Sequence, residues 1–366
     1  MDFSCTRVSL TDLPQVLREA DSILVQLPYP VHQLSEWYLT YIDVLGLADV
    51  AYVLQVRNQR DLLVGMLALE VRFKRGTRFW NLREFVPLSR GPQDFFGVIA
   101  VPGYEVEVAK AIARWLVDNC LIWEQLRLDY IPECSKAWLP LVEALERYGF
   151  GVQVTKDRYF LKIDTTQDWN AYYREFLHPR TADLRNRKNR LVKHGFSASV
   201  VDIKQGIAHY LDELFAHYDA RRTKLGQKYA TASPIMKQFV REVVAKYEDR
   251  GNVILSLLVE EKLQDVLAYQ LDWVFQGIRY HWKPTFNEKY SEYSPSKILL
   301  LETIRQCFQD PSIREFNFMR GESQYKNQFA NHQEPFVSIS VTNHRSVRLK
   351  GQNIAKLLAG LRSTLK

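Results

Sequence analysis

Hydrophobic spacing divides the first half of the chain into strands and one clear helix. Residues 51–56 and 62–71 are apolar runs joined by a polar turn, which is the pattern of a strand pair. Between residues 105 and 123, apolar side chains recur every three or four positions and predict a helix with one buried face. Residues 126–130 then alternate between apolar and charged side chains, so a further strand follows the helix.

The second half of the chain repeats this order. Residues 253–259 and 263–275 predict a strand pair, 278–284 a third strand, 296–308 a helix and 315–319 a further alternating strand. A doubled order of elements is the mark of an internal structural repeat. The chain is therefore predicted to contain two α/β domains of one kind.

The domain border is predicted at the polar turn 164–168, which gives an N-terminal domain of residues 1–163 and a C-terminal domain of residues 164–366. Each half begins with a helical region, at about 31–45 and 207–249. A half-buried strand at 337–341 is expected late in the second domain, and a basic tail helix at 353–365 is expected to close the chain.

The charge of the chain is unevenly divided. The net charge is +7, but residues 1–160 carry 17 Lys and Arg against 20 Asp and Glu, whereas residues 161–366 carry 32 against 22. An anion is therefore expected on the second half. The local excess lies at residues 174–194, where a solvated helix face, a phosphate-binding surface and a surface for an acidic carrier protein are all open interpretations.

Composition indicates a globular protein and excludes several other classes. The 366 residues are 46% hydrophobic, yet no apolar run approaches the roughly 20 residues that a membrane span needs. The N-terminus lacks a signal-peptide pattern, so a cytoplasmic location without a membrane span is expected. The four cysteines are scattered without metal-ligand spacing, and no metal is expected.

The most distinctive segment follows the last repeated strand, at residues 316–329. Phe316 and Phe318 share one face of that strand, and Gly321 permits a sharp exit from it. Three ionisable side chains that can move a proton or hold a charge come next, namely Glu322, Tyr325 and Lys326. The segment is a candidate edge of an active site; the alternative is an edge strand that enters a solvated helix.

Several motifs together resemble the GNAT acyltransferase superfamily. They are the basic run Arg185-Asn-Arg-Lys-Asn-Arg190, the helix start Tyr293-Ser-Pro-Ser-Lys297 and the segment Arg320-Gly-Glu-Ser-Gln-Tyr-Lys326. The chain is most similar to the double-domain, CelD-like branch found with polysaccharide biosynthesis, and more remotely to Fem-type peptidyltransferases. The resemblance implies an α/β (α+β) fold of tandem GNAT-like domains, each a mixed, mostly antiparallel sheet flanked by helices.

The resemblance also implies an acyl-thioester donor, commonly acyl-CoA or acetyl-CoA, whose pantetheine lies along a central strand and whose pyrophosphate meets the next helix start. The strand would be 278–284, with the candidate donor contacts Tyr280, Trp282 and Lys283. The helix start offers unpaired N–H groups, a serine cap at Ser294 or Ser296 and the charge of Lys297. Pro295 and the serines replace the glycines of the usual GNAT loop, which leaves a carrier-protein thioester open. Aromatic packing and an ordinary capped helix are the structural alternatives.

Aminolysis of a thioester needs a base, a cradle for the oxyanion and a proton for the leaving thiolate. With the resemblance, Glu322 is the predicted base or water-ordering group, Tyr325 the proton donor to sulfur, and Lys326 the partner of an acidic acceptor or of the oxyanion. Asp272 and His281 are further catalytic candidates, because ionisable groups on otherwise apolar strands need partners. A structural role for His281 is the alternative.

These inferences leave three hypotheses for function. The first is an N-acyltransferase that acylates an amine acceptor, a small molecule, sugar or peptide, bound in a cleft between the two domains. The first domain lacks a Gly-Glu-x-x-Tyr-Lys cluster and is expected to support that cleft without catalysing. The second is an aminoacyl-tRNA-dependent Fem-type transferase, and the third is a non-catalytic GNAT-like scaffold. An acyl-carrier protein is a further candidate partner.

Overall fold

The computed structural model of the chain describes residues 3–75, 81–178, 182–194, 196–224, 226, 233–262, 265–321 and 323–346. Glu322 and the predicted tail helix at 353–365 lie outside the described residues. The chain folds as two units, one from Met1–Arg158 and Pro335–Lys366 and the other from Tyr159–Glu334. No helix among the described residues has the length and apolarity that a membrane crossing requires.

The first unit is a mostly antiparallel sheet with helices. Its strands are β1 (Ser4–Arg7), β2 (Ala51–Arg57), β3 (Leu63–Arg75), β4 (Asn81–Pro87), β5 (Ile99–Ala100), β6 (Gln125–Pro132) and the start of β7 (Gly151–Asp164). Its helices are α1 (Leu13–Leu24), α2 (Ser35–Leu45), α3 (Glu105–Asp118) and α4 (Trp138–Arg147). The apolar stripe predicted between residues 105 and 123 is confirmed, because Val108, Ile112 and Leu116 of α3 are fully buried.

The second unit contains the repeated elements. Its helices are α5 (Trp169–Ala171), continued by a π-helical turn at Tyr172–Leu177, then α6 (Ala182–Lys193), α7 (Ala208–Lys224), α8 (Pro234–Asp249), a 3₁₀ turn at Glu288–Tyr293, α9 (Pro295–Gln309) and α10 (Gln324–Phe329). Its strands are β8 (Ala198–Ile203), β9 (Val253–Glu260), β10 (Val266–Phe275), β11 (Ile278–Phe286) and β12 (Glu315–Asn317). They lie in the order β12-β11-β10-β9-β8, with residues 162–164 of β7 paired to β12.

The last strand, β13 (His332–Thr342), contains the alternating residues 337–341 that were expected in the second domain. From Phe336 onward it pairs with β6, antiparallel, and so it folds with the first unit. Val337, Ile339 and Val341 are buried in the core that also holds Leu126 and Leu128 of β6. The assignment from sequence was wrong here because the hydrophobic alternation of a strand identifies a buried face and not the strand beside it.

A two-residue turn, Gln276–Gly277, joins β10 to β11 and fixes the register of the strands that carry Asp272 and His281. Both turn residues have positive φ, at 52° and 72°, as a type I′ hairpin turn requires. A Cβ added at Gly277 would lie 2.9 Å from the carbonyl oxygen of Ser312, so this turn also lies close to the segment before β12.

The replacement Gly277→Ala is expected to destabilise the protein by more than the roughly 1–2 kcal/mol that left-handed backbone alone costs a residue with a Cβ. Gly251→Ala is the matched control, since Gly251 has φ +69° and open space around its Cβ position. Urea unfolding of both variants, followed by tryptophan fluorescence, measures the difference. Equal losses for the two variants would contradict a steric contact between the turn and Ser312.

Candidate functional site

Two parallel strands separate in the middle of the second unit. β11 and β12 pair only from Ile278 to Tyr280 and from Glu315 to Asn317. Beyond this point β11 continues to Phe286, whereas β12 ends at Asn317 and the chain turns away with Met319 at φ 58°. β11 therefore extends past the end of β12, and we call this place the strand fork.

A β-bulge lies beside the strand fork. Leu271 pairs with Lys283 and Asp272 pairs with His281, so Trp282 is an extra residue on β11. A bulge takes a backbone group out of the ladder and turns the strand. It also changes which side chains share a face, because His281 and Pro284 now lie on the same side of the sheet.

A cavity of 580 Å³ opens at the strand fork. It is lined by residues of α7, β11, the 3₁₀ turn, the start of α9 and α10, namely Tyr218, Arg221, Arg222, Pro284, Phe286, Ser291, Ser294, Ser296, Lys297, Leu300, Tyr325 and Lys326. Four of these residues are basic, and no carboxylate is among the described residues that line the cavity. The cavity is therefore suited to an anionic ligand.

The start of α9 forms one wall of the cavity. Ser294 takes the position before the helix with φ 53° and ψ 52°, and Pro295 is the first helical residue. The predicted serine cap at Ser294 is wrong, because its side chain makes no capping bond from this left-handed conformation, and caps are made from extended backbone. Ser296 and Lys297 follow in the first turn. Pro295 has no N–H, and the N–H groups of Lys297 and Ile298 donate to the carbonyl oxygen of Ser294 at 3.0 and 3.2 Å, so this turn offers an anion the N–H of Ser296 and the charge of Lys297. The ammonium of Lys297 donates to Oε1 of Gln328 at 3.1 Å.

A buried charge cluster lies on β10 and β11. Nε of Arg279 donates to Oδ2 of Asp272 at 2.7 Å, and Nη2 donates to the hydroxyl of Ser256 at 2.7 Å. Nδ1 of His281 lies 3.4 Å from Oδ1 of Asp272, but among the described residues neither ring nitrogen, nor that oxygen, has a hydrogen-bond partner. The sequence analysis identified Asp272 and His281 but not Arg279, which supplies the positive charge that a buried carboxylate needs.

Electrostatics set the protonation of this cluster. Burial alone would raise the pKa of Asp272, but the charge of Arg279 and the contacts of His281 and Gln270 hold it below its ordinary value. Burial lowers the pKa of His281; Asp272 opposes this shift, and the charges of Lys326 and Arg279 add to it. The cluster is therefore an Asp–Arg ion pair beside a neutral imidazole near neutral pH.

Tyr325 and Lys326 both reach the cavity from α10, as their position after the strand predicted. Burial raises the pKa of Tyr325 to about 12, and the charge of Arg221 opposes the rise. The Tyr325 phenol therefore carries its proton at neutral pH. The ammonium of Lys326 donates to the carbonyl oxygens of Phe318 and Arg320, at 2.8 and 2.9 Å, and so fixes the exit from β12.

The predicted donor contacts on β11 do not line this cavity. Tyr280 is fully buried, and the ring of Trp282 packs on Trp273 with a centroid distance of 4.7 Å. The ammonium of Lys283 lies over the ring of Trp282, 4.3 Å from its centroid. The sequence analysis missed the cavity wall that α7 forms with Tyr218, Arg221 and Arg222. Cations in a helix predict a solvent-exposed face when the elements packed against that helix are unknown.

The first unit contains the corresponding parallel pair in a closed form. β4 and β6 pair only at Glu84–Phe85 with Gln125–Leu126. The N–H of Phe96, on the segment that joins β4 to β5, donates to the carbonyl oxygen of Tyr130 on β6 at 3.0 Å. The side chains of Phe95 and Phe96 are buried. The chain itself thus occupies the place where the second unit has its opening.

Comparison with known proteins agrees with this geometry. Residues 179–327, which contain the fork and the cavity, match the family described as Acetyltransferase (GNAT) domain. No curated protein matches the chain. This match confirms the resemblance to GNAT acyltransferases predicted from the sequence, and it lies within the second unit.

Solved structures show the same fold over nearly the whole chain. The crystal structure of FemX is similar at a TM-score of 0.60 and 10% identity, covering 92% of this chain and 97% of that one. The C-terminal domain assigned to a lysylphosphatidylglycerol synthetase of Agrobacterium fabrum has a TM-score of 0.54 at 11% identity, with coverages of 95% and 97%. A conserved protein of unknown function from Bacteroides thetaiotaomicron VPI-5482 has 0.52 at 9%, with coverages of 93% and 100%. The predicted fold class, tandem GNAT-like units with mostly antiparallel sheets flanked by helices, is confirmed.

The neutral state of His281 predicts a pH dependence of stability. Because its folded pKa is lowered, the unfolded chain binds more protons below the ordinary value of 6.5, and the protein is expected to lose stability as the pH falls below that value. Asp272, with its ordinary value of 3.8, acts only at much lower pH. His281→Phe should flatten the slope of unfolding free energy between about pH 5 and 7, whereas the exposed control His209→Phe should leave the slope unchanged. Urea unfolding across this range measures both, and the same slope in all three proteins would contradict a buried neutral His281.

Proposed function

We propose that the second unit transfers an acyl group from an acyl-CoA thioester to an amine. The observation that carries this proposal is the strand fork, which opens onto a basic cavity beside the start of α9. A separated parallel pair offers backbone groups along which a pantetheine arm can lie. The first turn of α9 offers the N–H of Ser296 and the Lys297 charge to the pyrophosphate.

The chemistry is assigned to groups at the fork. The amine nitrogen attacks the carbonyl carbon and the carbon–sulfur bond breaks. The protonated phenol of Tyr325 gives its proton to the leaving thiolate.

The proton of the attacking amine needs a base. Among the described residues His281 supports this role best, because it is neutral, its ring nitrogens have no hydrogen-bond partner there, and its ring lies 6.4 Å from that of Tyr325, between centroids. Glu322 stays a prediction for the same role. Lys326, whose ammonium holds two backbone carbonyls, is assigned to keeping Tyr325 in place and not to the acceptor.

The closed fork of the first unit supports the expectation that only the second unit catalyses. A pantetheine arm cannot enter between β4 and β6 without displacing the Phe96–Tyr130 hydrogen bond and two buried phenylalanines. One donor per chain is therefore proposed.

Lys297→Met is expected to weaken CoA binding about tenfold, because it removes one charge-assisted contact to a phosphate. Acetyl-CoA at about 100 times its dissociation constant should stabilise the wild type by about 2.7 kcal/mol, with a stoichiometry of one. Lys188→Met is the control, since that ammonium pairs with Glu302 at 2.5 Å and lies off the cavity. Isothermal titration and thermal unfolding measure both quantities.

The same titration decides between donors. Stabilisation by an acyl-carrier thioester alone would move the proposal to that donor. Stabilisation by tRNA alone, with an affinity that falls steeply with salt, would support the Fem-type function in place of acyl-CoA transfer. The similarity of the fold to FemX is the reason to include tRNA in the test. A flat response to all three would contradict the donor site.

Tyr325→Phe is expected to lower kcat by about 10²–10⁴ and to leave CoA affinity unchanged, since only proton transfer to sulfur is lost. In the wild type the folded pKa of about 12 keeps Tyr325 protonated, so its titration should not reduce the rate up to about pH 10. Thiol release from acetyl-CoA, followed against pH, measures this. A variant that retains most of its kcat would show that another group protonates the thiolate.

A further inference from the structure

Arg221 lies in the cavity wall formed by α7 and contacts an aromatic ring of β11. Its guanidinium carbon lies 4.7 Å from the centroid of the Phe286 ring on β11. Among the described residues no carboxylate pairs with Arg221 and none lines the cavity. A guanidinium in contact with an aromatic ring keeps N–H donors available for a bidentate oxyanion.

Arg221 also lies near the proposed point of reaction. Its charge acts on the Tyr325 phenol, and both side chains line the cavity with Tyr218. In the proposed function the phosphates of a CoA donor bind at the start of α9, at Ser296 and Lys297. Arg221 belongs to a different wall of the same cavity, on α7, and is available to a second anion.

We propose that Arg221 binds an oxyanion of the acceptor, a carboxylate or a phosphate carried by the same molecule as the reacting amine. This inference rests on the proposed function and narrows it to acidic amines, such as amino acids and amino-sugar phosphates. Neighbouring groups support the assignment. Nη2 of Arg222 donates to the hydroxyl of Tyr218 at 2.5 Å, which holds the edge of the site, while the more distant Lys224 is already paired with Glu288 at 2.9 Å.

The test compares matched acceptors that differ only in charge. Amino acids are set against their amides, and glucosamine 6-phosphate against glucosamine, with thiol release from acetyl-CoA as the readout. The charged member of one pair is expected to have the lower KM, which identifies a carboxylate or a phosphate as the anion. Binding of the N-acetylated forms of each pair to the CoA-saturated protein is measured separately by isothermal titration.

Arg221→Met should raise KM for the charged acceptor about 10- to 100-fold, with kcat little changed and neutral acceptors unaffected. The methionine keeps the packing on Phe286. Arg221→Lys should give an intermediate KM because an ammonium keeps the charge but not the bidentate geometry. Lys224→Met removes one positive charge from the same helix and should change nothing.

Three results would overturn the proposal. An equal fall of kcat for charged and neutral acceptors in Arg221→Met would assign Arg221 to the reaction oxyanion. If Arg221→Met weakens the binding of CoA but not of dephospho-CoA, Arg221 would be assigned to the 3′-phosphate of the donor. Equal binding of charged and neutral N-acetyl forms by the wild type would show that no anion site exists there. If none of the acceptors leads to thiol release, the proposed function fails. The anion site is still tested by binding: the wild type should prefer the charged N-acetyl forms, and Arg221→Met should lose that preference.

Discussion

Backbone hydrogen bonding is the constraint on which this structure depends. Two parallel strands that separate inside a sheet leave backbone N–H and C=O groups that need other partners. The second unit separates β11 from β12 after three residue pairs, and the opening leads into a cavity. The first unit separates β4 from β6 after two pairs and fills the gap with its own chain at Phe96. The two units thus differ in what lies beside the unpaired ends of these strands. The first unit has its own chain there, and the second has a cavity with room for a ligand.

The buried ion pair explains why the open fork keeps its shape. Arg279 lies in the paired part of β11, and Asp272 lies opposite the bulge on β10, so their bond connects the closed and open parts of the fork. Burial lowers the pKa of the neighbouring His281, Asp272 of the pair opposes this shift, and Arg279 adds to it. Breaking either partner would leave a buried charge, which costs about 3–5 kcal/mol. A charge cluster of this kind is a costly way to stabilise a core, and its position beside the fork favours a role in positioning His281.

The sequence predicted the order of elements and the segment around Tyr325 because both rest on local patterns: alternation, helical spacing and a glycine after a strand. It did not predict the β13–β6 pairing, the bulge at Trp282 or the α7 wall with Arg221, since each depends on which elements meet in space. The resemblance implied donor contacts at Tyr280, Trp282 and Lys283, but none of the three lines the cavity, and Trp282 packs on Trp273. Ser294 was expected to cap α9, but Pro295 and a left-handed φ place its side chain differently.

Long-range contacts also change the meaning of the basic run at residues 174–194. In the structure Arg187 pairs with Asp183 at 2.7 Å and Lys188 with Glu302 at 2.5 Å, so part of the charge counted in the sequence is already neutralised. The cations of the cavity have no carboxylate among the described residues that line it. A polyanion such as tRNA needs many free cations along an extended surface, whereas a nucleotide-bearing thioester needs a few at one point. The distribution of charge therefore favours the smaller anion at the fork, and the shared fold by itself does not decide between them.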